Sequence, residues 1–252
     1  MTFDTLYING CSFTAGDSLP VEKSWPSLLQ KLIGCELIND SRNGNSFDAI
    51  NLVSTCRLVE LDPEKTCVII GLTWAQRYGI LFDQIMPSIT PADIGQDKSE
   101  FLEKLSNDRR ILSPYTRSVF DLDEYRASLV NSNEKLSGYN STMKAFSIFY
   151  DNLVKYDTNL EDNQYLNYLK SILHLQSYLE FHKFNYVMID FPGYFYSNLL
   201  KKNNLNISIF NKINKDRILD MRWGVFGDYT PSTSHPDSEQ CKVIANLIYE
   251  RL

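Results

Sequence analysis

Residues 6–16 read LYINGCSFTAG, and this segment indicates both a fold class and a candidate nucleophile. Its first residues, Leu6 to Ile8, are apolar, aromatic and β-branched, which is typical of a buried strand. Gly10 allows a tight turn, and Ser12 then stands where a helix begins. At such an elbow a serine Oγ meets the substrate while backbone N–H groups face a developing oxyanion. We therefore predict that Ser12 is a nucleophile; the alternative is an ordinary helix cap, because serine is a preferred N-cap residue.

Outward from this segment, strand-like and helix-like patterns alternate along the chain, as in a series of βαβ units. Residues 66–71, TCVIIG, form a continuous apolar run that is typical of a central parallel strand buried on both faces. Strands are predicted at residues 6–8, 36–38, 67–70 and 186–190. Helices are predicted at residues 25–33, 47–61, 163–183 and 239–252, from apolar spacing and from Gly, Pro and Ser at their ends. The pattern predicts an α/β protein.

Residues 76–162 interrupt this alternation with polar segments, several prolines and short aromatic clusters. We interpret them as an insertion that forms a lid or a partner surface. A chain of 252 residues with 43% hydrophobic residues can bury one sizeable core. We therefore expect a single domain over residues 1–252.

Composition argues against several classes of function. The net charge is −6, and charged residues of both signs are scattered along the chain, whereas a nucleic-acid-binding protein has a basic face. The five cysteines form no CxxC pair, which favours reduced thiols over disulfides or a zinc site. No GxxxxGKS/T motif of a phosphate-binding loop is present. We expect no metal and no cofactor.

The N-terminal residues MTFDTLYING contain neither a basic region nor a long apolar segment. The sequence therefore predicts no signal peptide and no membrane span. We expect a cytoplasmic protein, with mounting on a virion as the alternative.

The motif from Gly10 to Gly16 resembles the first block of the SGNH, or GDSL-type, hydrolases, in which a strand ends in Gly-Asp-Ser. Cys11 stands where the family has Asp. A nucleophilic Cys11 is an alternative, but we expect a small buried hydrophobe there. A literal GDSL string at residues 16–19 follows no strand and runs into Pro20, so we do not assign the nucleophile to Ser18.

The pair His235-Pro236, just before the last predicted helix, looks like the final block of the same family. There the histidine is the general base, and a serine hydroxyl needs such a partner because it is a weak nucleophile by itself. The chain has three histidines, and His174 and His182 fall inside a predicted helix. The resemblance therefore implies that His235 is the catalytic base.

The two middle blocks of the family are more divergent. Gly44 matches the glycine whose backbone N–H binds the oxyanion, and Asn43 or Asn45 can add a side-chain donor. Thr73 occupies the position of the family's asparagine, and a hydroxyl can donate one hydrogen bond to an oxyanion. Trp74 either lines the cleft or packs beneath it.

The acid of the triad departs from the family pattern, because Ser232 stands where Asp is expected. We assign this role to Asp228. Asp237 and Asp190 are the alternatives, and a backbone carbonyl that orients the imidazole would leave a Ser-His dyad.

Taken as a whole, the resemblance implies a three-layer α/β/α, flavodoxin-like fold with a parallel central sheet. It implies a serine ester hydrolase that removes acyl, foremost acetyl, groups from a carbohydrate or a small ester. Aromatic residues of the insertion either stack on sugar rings or pack in the core: Tyr115, Phe120, Tyr125 and Tyr139. The alternatives are a catalytically silent binding module of a viral or surface assembly and an O-acyltransferase. The sequence leaves the oligomeric state open.

Overall fold

A computed structural model of the chain describes residues 2–16, 19–42, 45–75, 78–79, 88–89, 160–193, 195, 204–221 and 235–252. Its strands are β1 (Thr5–Asn9), β2 (Glu36–Asn39), β3 (Thr66–Leu72), β4 (Tyr78–Gly79), β5 (Ser88–Ile89), β6 (Asn185–Asp190) and β7 (Ile218–Asp220). Five of them form one parallel sheet in the order β2-β1-β3-β6-β7. The pair β4 and β5 forms a separate antiparallel ribbon.

The helices of the described part are α1 (Ser12–Ala15), α2 (Trp25–Ile33), α3 (Phe47–Leu58), α4 (Leu160–Phe181), α5 (Asn204–Phe210) and α6 (Ser238–Arg251). Helices α2 and α6 pack together over one face of the sheet, and α3 and α4 pack together over the other. The α/β class with a central parallel sheet and helices on both sides is thus confirmed. None of the helices described is long and apolar enough to cross a membrane.

The core consists of two apolar layers because successive side chains of a strand point to opposite faces. In β1, Leu6 and Ile8 pack with α2 and α6, whereas Tyr7 packs with α3 and α4. Every residue of β3 is buried, which confirms the central strand predicted from its continuous apolar run.

Capping residues in the sequence correctly indicated where α2 and α6 begin and end, to within one residue. Helix α2 has the predicted bounds, and Gly34 ends it in the left-handed conformation at φ +79°. Asp237 caps α6 with a capping box that includes Gln240. Helix α3 ends at Leu58, earlier than predicted, because the following residues form tighter bonds, from Glu60 N–H to Arg57 C=O and from Leu61 N–H to Leu58 C=O.

Two elements, α5 and β7, were not predicted. They lie in residues 191–233, which the sequence left without assigned structure. Most of the predicted insertion at 76–162 lies outside the described residues, apart from the ribbon of β4 and β5 and the first turn of α4, which begins at Leu160 rather than at Asn163.

Candidate active site

Ser12 lies at the carboxyl edge of the sheet, directly after the turn that follows β1. It is the first residue of the one-turn helix α1 and is 7% exposed. Gly16 ends this helix at φ +76°, where a side chain would be strained and would also collide with the Cβ of Ser24 at 2.4 Å. The N–H groups of Thr14 and Ala15 both donate to the carbonyl of the N-cap residue Cys11 at 2.9 Å, so Ser12 stands at the N-terminal end of this turn. The strand-turn-helix geometry expected around Ser12 is therefore present.

Cys11 is the N-cap residue of α1 and is fully buried among apolar side chains between the sheet and α2 and α6. The prediction of a small buried hydrophobe is confirmed. A thiol with no exposed surface cannot attack a substrate, so the alternative of a nucleophilic Cys11 is not supported.

An aromatic cluster holds α1 against the loops that surround it. The ring of Phe13 lies 5.4 Å from that of Trp74, 5.9 Å from that of Phe191 and 5.1 Å from the imidazole of His235. The indole N–H of Trp25 donates to the carbonyl of Phe13 at 2.9 Å. The cluster thus brings the ends of β1, β3 and β6 and the segment before α6 together at one edge of the sheet.

His235 is the histidine whose ring is seen to contact this cluster. His174 lies on the exposed side of α4, with Nδ1 3.2 Å from Nδ2 of Asn51. His182 follows α4 and packs on Tyr178 at 4.4 Å, near the edge of the sheet where β6 begins. His174 thus lies on the helix surface as predicted, whereas His182 lies just beyond the end of the helix, in the turn that follows it.

Thr73 and Trp74 directly follow β3, the strand next to β1 in the sheet. Thr73 is fully buried, and Trp74 is half-buried with its ring against Phe13. Both residues therefore lie at the same edge of the sheet as Ser12. Trp74 packs in the aromatic cluster and also keeps part of its surface exposed, so the two predicted roles are compatible.

Asn45 is fully buried, and its Nδ2 donates to the carbonyl of Gly10 at 2.9 Å. The structure thus uses this amide to join the loop after β2 to the turn before α1, and its role as an oxyanion donor stays a prediction.

The candidate acids occupy different places. The Oδ1 atom of Asp237 accepts from the backbone N–H groups of Glu239 and Gln240, both at 2.9 Å, as the cap of α6. Asp190 is fully buried, and its Oδ2 accepts from Phe195 N–H at 3.0 Å. Asp190 points to the α4 side of the sheet, because adjacent residues of a strand point to opposite faces and its neighbour Ile189 packs on the side of Phe13. Asp228, Ser232, Gly44, Asn43 and Ser18 lie outside the described residues.

Burial keeps the hydroxyl of Tyr165 protonated beneath this edge. Desolvation raises the pKa of Tyr165 above its usual value, and the nearby Asp190 carboxylate raises it further. The neutral phenol donates to the carbonyl of Phe195 at 2.6 Å. This bond and the one that Asp190 Oδ2 accepts both hold the backbone of Phe195. Within the described ranges, His, Cys, Asp and Glu form no cluster that could hold a metal ion.

Sequence reasoning missed three residues that support the elbow: Asn9, Thr14 and Gly71. Asn9 Oδ1 accepts from Gly10 N–H at 2.8 Å. The Thr14 hydroxyl lies in a gap between two glycines, since a Cβ on Gly10 or on Gly71 would come within 2.2 Å or 2.1 Å of its oxygen. A glycine at the end of an otherwise large-residue apolar strand is the signal that could have revealed this close approach.

Comparison with known proteins finds no matching family model and no matching curated protein. Among solved structures, the chain is similar to the psychrotrophic esterase EstA from Pseudoalteromonas sp. (13% identity, 98% of this chain and 96% of that chain, TM-score 0.46). It is also similar to a member of the lipolytic protein G-D-S-L family from Veillonella parvula DSM 2008 (12% identity, 98% and 96%, TM-score 0.42). A third match is the acetyl xylan esterase AlAXEase (11% identity, 98% and 99%, TM-score 0.45). These three solved structures, which this chain matches over nearly its whole length, are those of two esterases and a G-D-S-L-family lipolytic protein.

Proposed function

We propose that the protein is a serine ester hydrolase in which Ser12 is the nucleophile and His235 is the general base. The observation that carries the proposal is the contact between the His235 imidazole and the ring of Phe13, at 5.1 Å. Phe13 is the neighbour of Ser12 in the first turn of α1. A histidine from the far end of the chain therefore lies beside the residue that adjoins the candidate nucleophile, which supports the assignment of His235 as its proton acceptor.

In the proposed reaction, Ser12 Oγ attacks the acyl carbon while His235 takes the hydroxyl proton. The tetrahedral oxyanion accepts hydrogen bonds from the N–H groups of Ser12 and Gly44 and from the Thr73 hydroxyl. His235 then gives its proton to the leaving alcohol, and an acyl-enzyme remains. Water, activated by the same imidazole, hydrolyses this ester and restores Ser12. Asp228 is assigned to orient the imidazole.

For the substrate we propose a small acyl ester, with an acetylated carbohydrate as the first class to test. Trp74 supports this choice because its indole is partly exposed beside Phe13 at the same edge as Ser12. A partly exposed indole offers an apolar face on which a sugar ring or an acyl chain can pack.

Labelling with a fluorophosphonate probe, followed by peptide mapping, tests the proposal. The variants are Ser12→Ala and His235→Ala, with Ser18→Ala as the matched control and circular dichroism as the check of folding. We expect labelling at Ser12 that is lost in both site variants and kept in the control. Labelling at Ser18 would contradict the assignment. Folded wild-type protein without labelling would favour a silent binding module.

Labelling at Ser12 does not distinguish hydrolysis from acyl transfer, so a second experiment separates these two reactions. We expect acetyl ester turnover to release acetate at the same rate with and without an added sugar acceptor. Acetate release that falls while acetylated sugar accumulates would instead identify an O-acyltransferase on the same Ser12 site.

A further inference from the structure

Gly10 links β1 to the cap of α1, so the orientation of its two peptide groups sets the position of Ser12. Both polar groups of this residue bind a side-chain amide. Its N–H donates to Asn9 Oδ1 at 2.8 Å, and its carbonyl accepts from Asn45 Nδ2 at 2.9 Å. The carbonyl also accepts from the backbone N–H of Arg42 at 3.1 Å. Gly10 is therefore held on both of its sides.

The two amides are themselves fixed in the core. Asn9 and Asn45 are both fully buried. Asn9 Nδ2 donates to Ser54 Oγ at 3.0 Å and to the carbonyl of Ile50 at 3.2 Å, both in α3. Asn45 precedes Ser46, whose hydroxyl caps the same helix. The turn before Ser12 is thus tied to α3 by two independent connections.

The carboxamide of Asn9 meets both requirements at this position, because its oxygen accepts from Gly10 N–H while its amino group donates to α3. At Asn45 a donor is required, because the group faces a carbonyl oxygen. A carboxylate at that position would place two acceptors against each other in a buried site, which costs more than an absent hydrogen bond.

We infer that Asn9 and Asn45 form an amide clamp on Gly10 and act as positioning residues for Ser12. This inference rests on the proposed function for its catalytic consequence, although the clamp itself is a property of the turn. A peptide rotation at Gly10 would displace both the Ser12 hydroxyl and the N–H groups at the start of α1. A displacement of about 1 Å can lower a reaction rate by about 100-fold.

The test compares Asn45→Asp with Asn45→Ala. Because a carboxylate oxygen would face the Gly10 carbonyl oxygen, we expect the aspartate variant, although isosteric, to be impaired more than the alanine variant, in which the Gly10 carbonyl keeps its bond from Arg42 N–H. A side chain that only fills space would give the opposite order, because alanine removes volume. Asn51→Asp is the matched control, since Asn51 is a half-buried amide of α3 that donates to the Ser171 carbonyl at 3.4 Å, away from Gly10.

Two readouts are needed. The first is amide hydrogen exchange of residues 10–12, which does not depend on activity. The second is the rate of fluorophosphonate labelling at Ser12. For Asn45→Asp we expect exchange at residues 10–12 to be about tenfold faster, with exchange in β6 unchanged, and labelling to be about tenfold slower or more. Asn45→Ala is expected to fall between this variant and wild type, and Asn51→Asp to match wild type.

The inference is overturned if folded Asn45→Asp keeps wild-type exchange at residues 10–12, or if Asn45→Ala is the more impaired variant in both readouts. If Asn45→Asp does not fold, the same comparison of exchange at residues 10–12 with exchange in β6 is made on Asn45→Ala and Asn9→Asp. Wild-type exchange at residues 10–12 in both of these variants would overturn the inference. If the wild-type protein is protected from hydrogen exchange at residues 10–12 but is not labelled by the fluorophosphonate, the proposed function is refuted and the clamp remains supported.

Discussion

The imidazole of His235 lies on the phenyl ring of Phe13, with ring centroids 5.1 Å apart and ring planes inclined by 46°. These residues stand at opposite ends of the chain, one in the helix that follows β1 and the other just before α6. Aromatic pairs at this separation attract each other by about 0.5–1.5 kcal/mol beyond the burial of their surfaces. Phe13 therefore restrains the candidate base next to the candidate nucleophile.

Phe13→Leu should slow labelling of Ser12 by about tenfold, because the base loses the flat surface that orients it. Truncation of a buried phenylalanine to alanine costs about 3–5 kcal/mol, so the alanine variant is less informative than the leucine variant, which keeps most of the side-chain volume. Phe47→Leu is the matched control, since Phe47 is a buried phenylalanine whose ring packs on Tyr168 on the other side of the sheet.

The measurement is the labelling rate at a fixed probe concentration, together with urea unfolding of both variants. Equal losses of labelling in the two leucine variants at equal stability would show that Phe13 has no special relation to His235.

Gly71→Ala should destabilise the protein, because the new methyl group would lie 2.1 Å from the hydroxyl oxygen of Thr14 and must push α1 away from the sheet. Strain of this kind costs about 1–3 kcal/mol. In the double variant with Thr14→Ala most of this loss should be recovered, since the colliding atom is gone. Urea unfolding of the two single variants and the double variant measures the coupling.

Gly34→Ala serves as the control, because a Cβ there meets no atom within 4 Å and only the positive φ of +79° opposes it. Its cost of about 1 kcal/mol should be independent of Thr14. Additive effects of Gly71→Ala and Thr14→Ala would contradict the close contact.

The parts of the fold that could be predicted are those whose signals are local. Helix α2 carries a proline at its second position and a glycine at its end, and α6 follows an aspartate cap. The three-residue strand β7 has no such signal, because it is a strand only through its hydrogen bonds to β6. Short edge strands of this kind depend on their neighbours rather than on their own residues.

The residues of the candidate site also fall into those with a local sequence signal and those without one. Ser12, His235 and Thr73 could be proposed from the sequence because each stands in a recognisable motif. The supporting contacts of Asn9, Asn45 and Thr14 were not found or were interpreted differently, because they join residues that the fold brings together. A sequence with asparagines on both sides of Gly44 does not reveal that one of them, Asn45, turns its amide towards Gly10.

The five cysteines should react with iodoacetamide in two classes. Burial raises the pKa of the Cys67 thiol to about 12, so almost no thiolate is present at pH 8. Burial also raises the pKa values of Cys35 and Cys56, but these side chains are only half-buried. We expect slow modification of Cys35 and Cys56 that accelerates as the pH rises from 7 to 9, because more thiolate forms.

Cys11, Cys67 and Cys241 are buried and should be modified only in urea. Mass spectrometry of peptides from native and unfolded protein distinguishes the two classes. Rapid modification of Cys11 in the native protein would mean that the turn before Ser12 opens to solvent.

Asp237→Asn should leave labelling of Ser12 at the wild-type rate. The Oδ1 atom of Asp237 already accepts two backbone N–H groups of α6, and an asparagine oxygen can accept the same bonds. Asp237→Ala should lower the free energy of unfolding by about 0.5–2 kcal/mol, because those donors lose their partner. It should affect labelling only through the order of the nearby His235. A drop in labelling for Asp237→Asn at unchanged stability would transfer the role of the acid from Asp228 to Asp237, since that substitution removes the charge while it keeps the cap.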